Sequence, residues 1–176
     1  MQNEQARTLE AVQFSIQMEI DGKEYYRKAS RESGNKVGRE FFEWLAAEED
    51  KHRQRFEQIY GAIKKEKAWP AIDIQPRKGE VLNTLFSEAM RTVGTGVKAA
   101  GAELDAIARA MEMENTTHEF YKSQGEEAVY GAAKKFYAAL AAEERGHYLA
   151  LVDYREYLID PAGWFRKAEH HSLDGG

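Results

Sequence analysis

The sequence predicts an all-α fold: a bundle of four long helices, built as two helix hairpins joined by a long crossover that holds a short helix of its own. Three observations predict it. Apolar residues recur at steps of three and four along four long stretches, which marks one face of a helix in each. Only three prolines occur in 176 residues, so almost nothing interrupts a helical pattern. Turn signals separate the first stretch from the second and the third from the fourth, whereas about thirty residues part the second from the third.

Taken in order, the first seam runs through Leu9, Val12, Ile16, position 19, position 23 and Tyr26. The second runs through Phe42, Leu45, positions 49 and 52, then Phe56, Ile59 and Ile63. In the third, Leu104, Ile107 and Met111 lead to positions 114 and 118 and to Tyr121. The fourth takes Tyr137 and Leu140, positions 144 and 147, then Leu151, Tyr154 and Leu158. Narrow apolar stripes of this kind pack helix against helix. Ser33-Gly34-Asn35 is a tight turn that makes the first two helices antiparallel neighbours, and the stretch from Gly125 to Gly131 does the same for the last two. The middle connection passes Trp69-Pro70 and Gln75-Pro76 and ends among glycines at 94, 96 and 101. Val81, Leu82, Leu85, Phe86 and Met90 predict a short amphipathic helix inside it. Residues 1–160 therefore form one bundle domain with a crossover at about 66–100, and 161–176 form a tail.

Composition excludes several function classes. No cysteine is present, which removes disulfides, thiolate zinc sites, cysteine-ligated clusters and thiol nucleophiles. A net charge of −5 argues against a general nucleic-acid binder. No apolar run approaches membrane-spanning length and the first ten residues carry no leader-like apolar segment, so the expectation is a cytoplasmic protein without a membrane partner.

The positions left unnamed interrupt the seams. They are Glu19 in the first helix, Glu49 and His52 in the second, Glu114 in the third, and Glu144 and His147 in the fourth. Burying one unpaired carboxylate costs several kcal/mol, on the order of the stability of a small domain, so something positive must sit among them. Spacing says where. The turn at Gly34 lies midway between Glu19 and Glu49, and roughly 22 Å up and 22 Å back brings them to one height. Glu114 and Glu144 have the same separation. Within Glu49-x-x-His52 and Glu144-x-x-His147, residues three apart share a helix face. The halves also repeat at an offset of 95, which carries Glu19 to Glu114, Tyr26 to Tyr121, Phe41 to Phe136, Leu45 to Leu140 and His52 to His147. It also carries Ala46-Ala47-Glu48-Glu49 to Ala141-Ala142-Glu143-Glu144. Four carboxylates and two neutral imidazoles are balanced by two divalent cations, and carboxylate with imidazole suits iron or manganese, with zinc as a further substitute.

On these motifs the chain resembles the ferritin-like di-iron superfamily, and within it the rubrerythrin branch without a rubredoxin domain, over roughly residues 5–158. The resemblance implies a di-iron centre in which Glu49 and Glu144 bridge the metals, Glu19 and His52 complete one shell, and Glu114 and His147 the other. It further implies that Tyr26 and Tyr121 hydrogen-bond ligand carboxylates and belong with Glu49 and Glu144 to the catalytic group. Two departures stand out. Rubrerythrins usually carry another glutamate one turn after the third-helix ligand, where this chain has Thr117. The cysteine-rich electron-transfer module is missing, so the resemblance implies a separate redox protein or small molecule as electron donor.

Other residues have plainer expectations. His118 is expected to hydrogen-bond a ligand carboxylate rather than bind metal, and Lys23 stands at the equivalent place in the other half. Glu48, Glu143, Glu112 and Glu24 are expected on solvated faces, His170-His171 in a tail without a functional site, and Trp44 and Trp164 in packing or interfaces. The leading function is a di-iron oxidoreductase that reduces hydrogen peroxide, or oxidises Fe(II) with peroxide or dioxygen, its metals about 3.5–4 Å apart. Alternatives are a ferritin-like storage or encapsulated ferroxidase subunit, an oxygenase, and a non-catalytic metal-stabilised bundle. The oxygenase would need an apolar channel, for which the crowded seam of Leu9, Val12, Ile16, Met111 and Phe56 gives no sign. A homodimer is expected, with exchange of helices through the crossover as one way to form it.

Overall fold

In a computed structural model the described residues are 2–66, 69, 70, 96 and 101–166, and four long helices account for nearly all of them. They are α1 (Gln2–Glu32), α2 (Lys36–Glu66), α3 (Gly101–Glu127) and α4 (Gly131–Ile159). No strand occurs among the described residues. The short helix expected around Val81–Met90 and the histidines at 170 and 171 lie outside them. No helix among the described residues is long and apolar enough to cross a membrane.

Local chemistry sets the breaks. After α1 the chain turns through residues 33–35, and after α3 through residues 128–130, the same places under the 95-residue offset. Gly125 belongs to α3 rather than to the turn, because the helix continues to Glu127. Asn35 caps α2: its side-chain oxygen accepts the Gly38 amide at 2.9 Å. Asp160 ends α4 and starts a helical segment over residues 161–166, its carboxylate accepting the Gly163 amide at 2.9 Å with Pro161 in the first position. Trp164 in that segment packs on Tyr157 and donates its indole N–H to Asp153 at 2.7 Å, so this tryptophan is a packing residue.

Two apolar clusters fix the helix directions. One joins Tyr26, Phe41, Phe42 and Leu45 to Ile107 and to Leu151, Tyr154 and Leu158. The other joins Val12, Phe56, Ile59 and Ile63 to Tyr121 and to Phe136, Tyr137 and Leu140. The end of α1 thus meets the start of α3, and the start of α2 meets the end of α4. Those pairs are antiparallel, which leaves α2 and α3 parallel. A parallel connection must return along the whole bundle, roughly 45 Å for a helix of 31 residues. That is why the two hairpins need a long crossover and could not be joined by a tight turn. Every seam residue predicted to be apolar is buried or packed against these clusters.

One polar cluster ties the first turn to the second hairpin. Glu103, buried in the first turn of α3, accepts hydrogen bonds from Ser33 Oγ at 2.6 Å, Asn35 Nδ2 at 3.0 Å and Tyr154 Oη at 2.8 Å. Three donors satisfy the carboxylate where water cannot. Gly38 faces this cluster, and a Cβ there would strike Ser33 Oγ, Glu103 Oε1 and Tyr154 Oη. Gly to Ala inside a helix ordinarily gains about 0.5–1 kcal/mol. Here the overlap dominates, and Gly38→Ala is expected to lose about 1–3 kcal/mol in urea unfolding; a stability equal to or above wild type would contradict the packing described.

Candidate metal centre

The six seam groups converge in one layer between the two apolar clusters. Glu19 comes from α1, Glu49 and His52 from α2, Glu114 from α3, and Glu144 and His147 from α4; all are buried, Glu19, His52 and Glu144 completely. Helical spacing does this: Glu49 and His52 share one face of α2, as Glu144 and His147 do of α4. His52 Nδ1 lies 3.0 Å from Glu144 Oε1 and 3.5 Å from Glu19 Oε2. His147 Nδ1 lies 3.2 Å from Glu144 Oε2, 3.4 Å from Glu49 Oε1 and 3.6 Å from Glu114 Oε2. The two imidazoles face each other, their centroids 5.6 Å apart and their planes 19° from parallel. A pseudo-twofold axis therefore passes through the layer, as the internal repeat requires.

Four atoms in this layer are buried and lack any hydrogen-bond partner: Glu19 Oε2, Glu49 Oε1, His52 Nδ1 and Glu144 Oε1. Native interiors rarely leave such groups unpaired. Ligand atoms of Glu49, Glu114, Glu144 and His147 lie within 4.8 Å of one another, and so do those of Glu19, Glu49 and His52. Glu49 belongs to both sets, and Glu144 directs one oxygen to each histidine. The donor set of oxygens and imidazole nitrogens, with four negative charges to balance, fits a pair of divalent cations.

Tyrosines lock the outer carboxylates across the two hairpins. The Tyr26 hydroxyl of α1 donates to Glu114 Oε1 of α3, and the Tyr121 hydroxyl of α3 donates to Glu19 Oε1 of α1. Each glutamate then keeps its other oxygen for the centre. Burial and the adjacent carboxylates push both phenols well above their ordinary pKa, so they stay protonated donors. Without a metal, burial and the neighbouring Glu19 and Glu144 raise Glu49, and burial and Glu144 raise Glu114. Burial alone would depress both histidines, but Glu144 and Glu19 hold His52 up, and Glu114 chiefly holds His147 up. Burial opposes ionisation of Glu144 as well, yet the two imidazoles keep it below the usual carboxylate range. Gly22 makes room for Glu49, since a Cβ there would come within 2.9 Å of Glu49 Oε2.

Several expectations need correction. Glu48 and Glu143 do not lie on a solvated face. Glu48 is buried and pairs with Lys51, and Glu143 accepts from His52 Nε2 at 2.7 Å and from Arg55 at 3.1 Å. Both stand one position before a seam residue, at the boundary between core and solvent, and His52 and Arg55 of α2 cover Glu143. His118 reaches no ligand carboxylate; its Nδ1 meets the Ala141 carbonyl at 2.7 Å and its Nε2 lies 3.7 Å from Glu119. Lys23 pairs with Asp50 at 2.6 Å, which holds that carboxyl down at about 2. Thr117 bonds back to the Met113 carbonyl at 3.1 Å and contributes nothing to the layer. Glu112 and Glu24 are exposed as expected. Trp44 packs against the core and meets the His147 ring edge-on at 5.5 Å.

A protein-family model described as Rubrerythrin matches residues 10–153. Among solved structures, a hypothetical protein from Pyrococcus furiosus is similar in fold, with a TM-score of 0.62 and 24% identity over 86% of this chain and 89% of that one. No curated protein matches the sequence.

The geometry sets a pH dependence for the metal-free protein. Glu49 and Glu114 bind protons in the folded state above pH 4.5 where the unfolded chain does not, and His52 and His147 do so above pH 6.5. More protons bound in the folded state means stability that falls as pH rises. Glu144 acts in the opposite sense, but its contribution changes only below 4.5. Chelator-treated protein is therefore expected to show a lower Tm at about pH 8 than at about pH 6, while divalent metal removes the difference by replacing the protons. Glu49→Gln should raise the Tm of the chelated protein and shrink the metal-induced rise. A metal-free Tm that increased over this range would contradict the site as described.

Proposed function

Since the chain belongs to the rubrerythrin family, within the ferritin-like di-iron superfamily, we propose that it is a di-iron oxidoreductase that reduces hydrogen peroxide, or oxidises Fe(II) with peroxide or dioxygen. The observation that carries the reading is the set of four buried, unpartnered ligand atoms facing one centre from three helices. Glu49 and Glu144 would bridge the two metals, Glu19 with His52 would hold one, and Glu114 with His147 the other. A pair of irons held there would supply the two electrons that, with two protons, convert hydrogen peroxide to two waters.

The chain's own residues shape that chemistry. The apolar clusters on either side exclude water and leave the layer in a low-dielectric setting, where fixed charges act strongly. Tyr26 and Tyr121 hold Glu114 and Glu19 in place by hydrogen bonds, and would keep them from swinging away if the metal charge changed. Continued turnover needs electrons from outside, and a separate redox protein is the proposed donor. Activity in oxidative-stress defence or iron homeostasis follows from the reaction.

Protein refilled anaerobically with Fe(II) is expected to hold two irons per chain and to be oxidised rapidly by peroxide. The Glu49→Ala, Glu144→Ala double variant should lose both properties. Many turnovers with an added reductant would favour a peroxidase, and a single round followed by iron accumulation would favour storage. A wild type without stoichiometric iron, or a variant that reacts equally well, would overturn the reading.

A further inference from the structure

The contact between His52 and Glu143 has no role in the ligand set, and it breaks the symmetry of the repeat. His52 Nε2 and Glu143 Oε2 are 2.7 Å apart, with side-chain exposures of 0% and 10%. Arg55, one turn after His52 on α2, donates from Nη1 to the same oxygen at 3.1 Å. Two donors from α2 thus converge on one oxygen from α4. A neutral histidine that gives its Nε2–H to a carboxylate has its lone pair on Nδ1, and the ring can neither flip nor rotate without losing that bond. Nδ1 is the atom that faces Glu19 and Glu144 without a hydrogen-bond partner.

The other half is built differently. The offset of 95 puts Ala150 where the first half has Arg55, so no guanidinium stands there. His147 presents its Nδ1 to three carboxylates, and its ring packs perpendicular to that of Trp44, whose counterpart is Ala139. No acidic group among the described residues forms an ion pair with its Nε2. Among the described residues, then, only His52 is held through Nε2 by a fixed carboxylate, while His147 has the Trp44 contact.

We propose that Glu143, held by Arg55, is a positioning residue for His52 that supports metal binding in the His52 half of the site and not in the His147 half, so that the two metal positions are inequivalent. The proposal rests on the di-metal reading above and adds to it which neighbours tune which metal. Supporting carboxylates of this kind are worth about 10–100-fold in metal affinity.

The test is calorimetric titration of chelator-treated full-length protein with Mn(II), comparing wild type with Glu143→Ala, Glu143→Gln and Arg55→Ala. Glu143→Ala is expected to weaken one binding step by about 10–100-fold and to leave the other within about twofold. Glu143→Gln keeps an acceptor for Nε2–H and should lose less than Ala, and Arg55→Ala should lose less again. Combined with His147→Ala, the Glu143→Ala effect should persist; combined with His52→Ala, it should vanish. Equal weakening of both steps, or an effect that survives His52→Ala, would overturn the proposal. A wild type that bound no Mn(II) would instead bring down the di-metal reading on which it stands. Far-UV circular dichroism checks that each variant folds, and if Glu143→Ala does not, Glu143→Gln and Arg55→Ala carry the same comparison.

Discussion

Four carboxylates share one buried layer, and the rest of the structure is arranged around that fact. Each ion taken out of water costs several kcal/mol, and the folded state of an ordinary domain is worth only about 5–15 kcal/mol in total. Two imidazoles cannot neutralise four acids. Cations of higher charge can, and four unpartnered atoms already face where they would sit. The helices are long because the layer needs apolar packing both above and below it, and the two core clusters supply this. Those clusters in turn set α2 and α3 parallel, so the end of α2 and the start of α3 lie at opposite ends of the bundle.

Duplication of a hairpin explains how so demanding a site is specified by few residues. Each half brings one glutamate, one Glu-x-x-His pair and one tyrosine, and each tyrosine reaches the glutamate of the other half. The hairpins are therefore joined at the site as well as through the core. Symmetry holds for the atoms that face the centre and fails just outside it. Lys23 and His118 occupy equivalent places yet bind a surface aspartate and a backbone carbonyl. Arg55 faces Glu143, whereas its counterpart is Ala150. Differences of this kind leave the ligand set intact while making the environments of its two halves distinct.

Much of this was legible in the sequence because helix periodicity reports which side chains share a face. It placed all six seam groups together, and the repeat gave the pairing of Tyr26 and Tyr121. Periodicity says nothing about what a facing helix covers. Glu48 and Glu143 stand one position before seam residues and look solvated from their own helices, but the side chains of His52 and Arg55 reach across from α2 to Glu143. The first glutamate in each Glu-Glu pair, and an arginine three residues after His52, were the available signals. Glu103 was missed for the same reason, since its partners Ser33, Asn35 and Tyr154 come from other elements. Glycine misled at 125, where it sits inside α3 against Tyr137 rather than in the turn.

The most direct test of the central claim is anomalous diffraction at the iron edge from crystals of the Fe(II)-loaded protein. Two peaks per chain are expected, both flanked by Glu49 and Glu144, one beside His52 and the other beside His147. A single peak, or none in this layer with the carboxylates paired to lysine or arginine instead, would contradict the account.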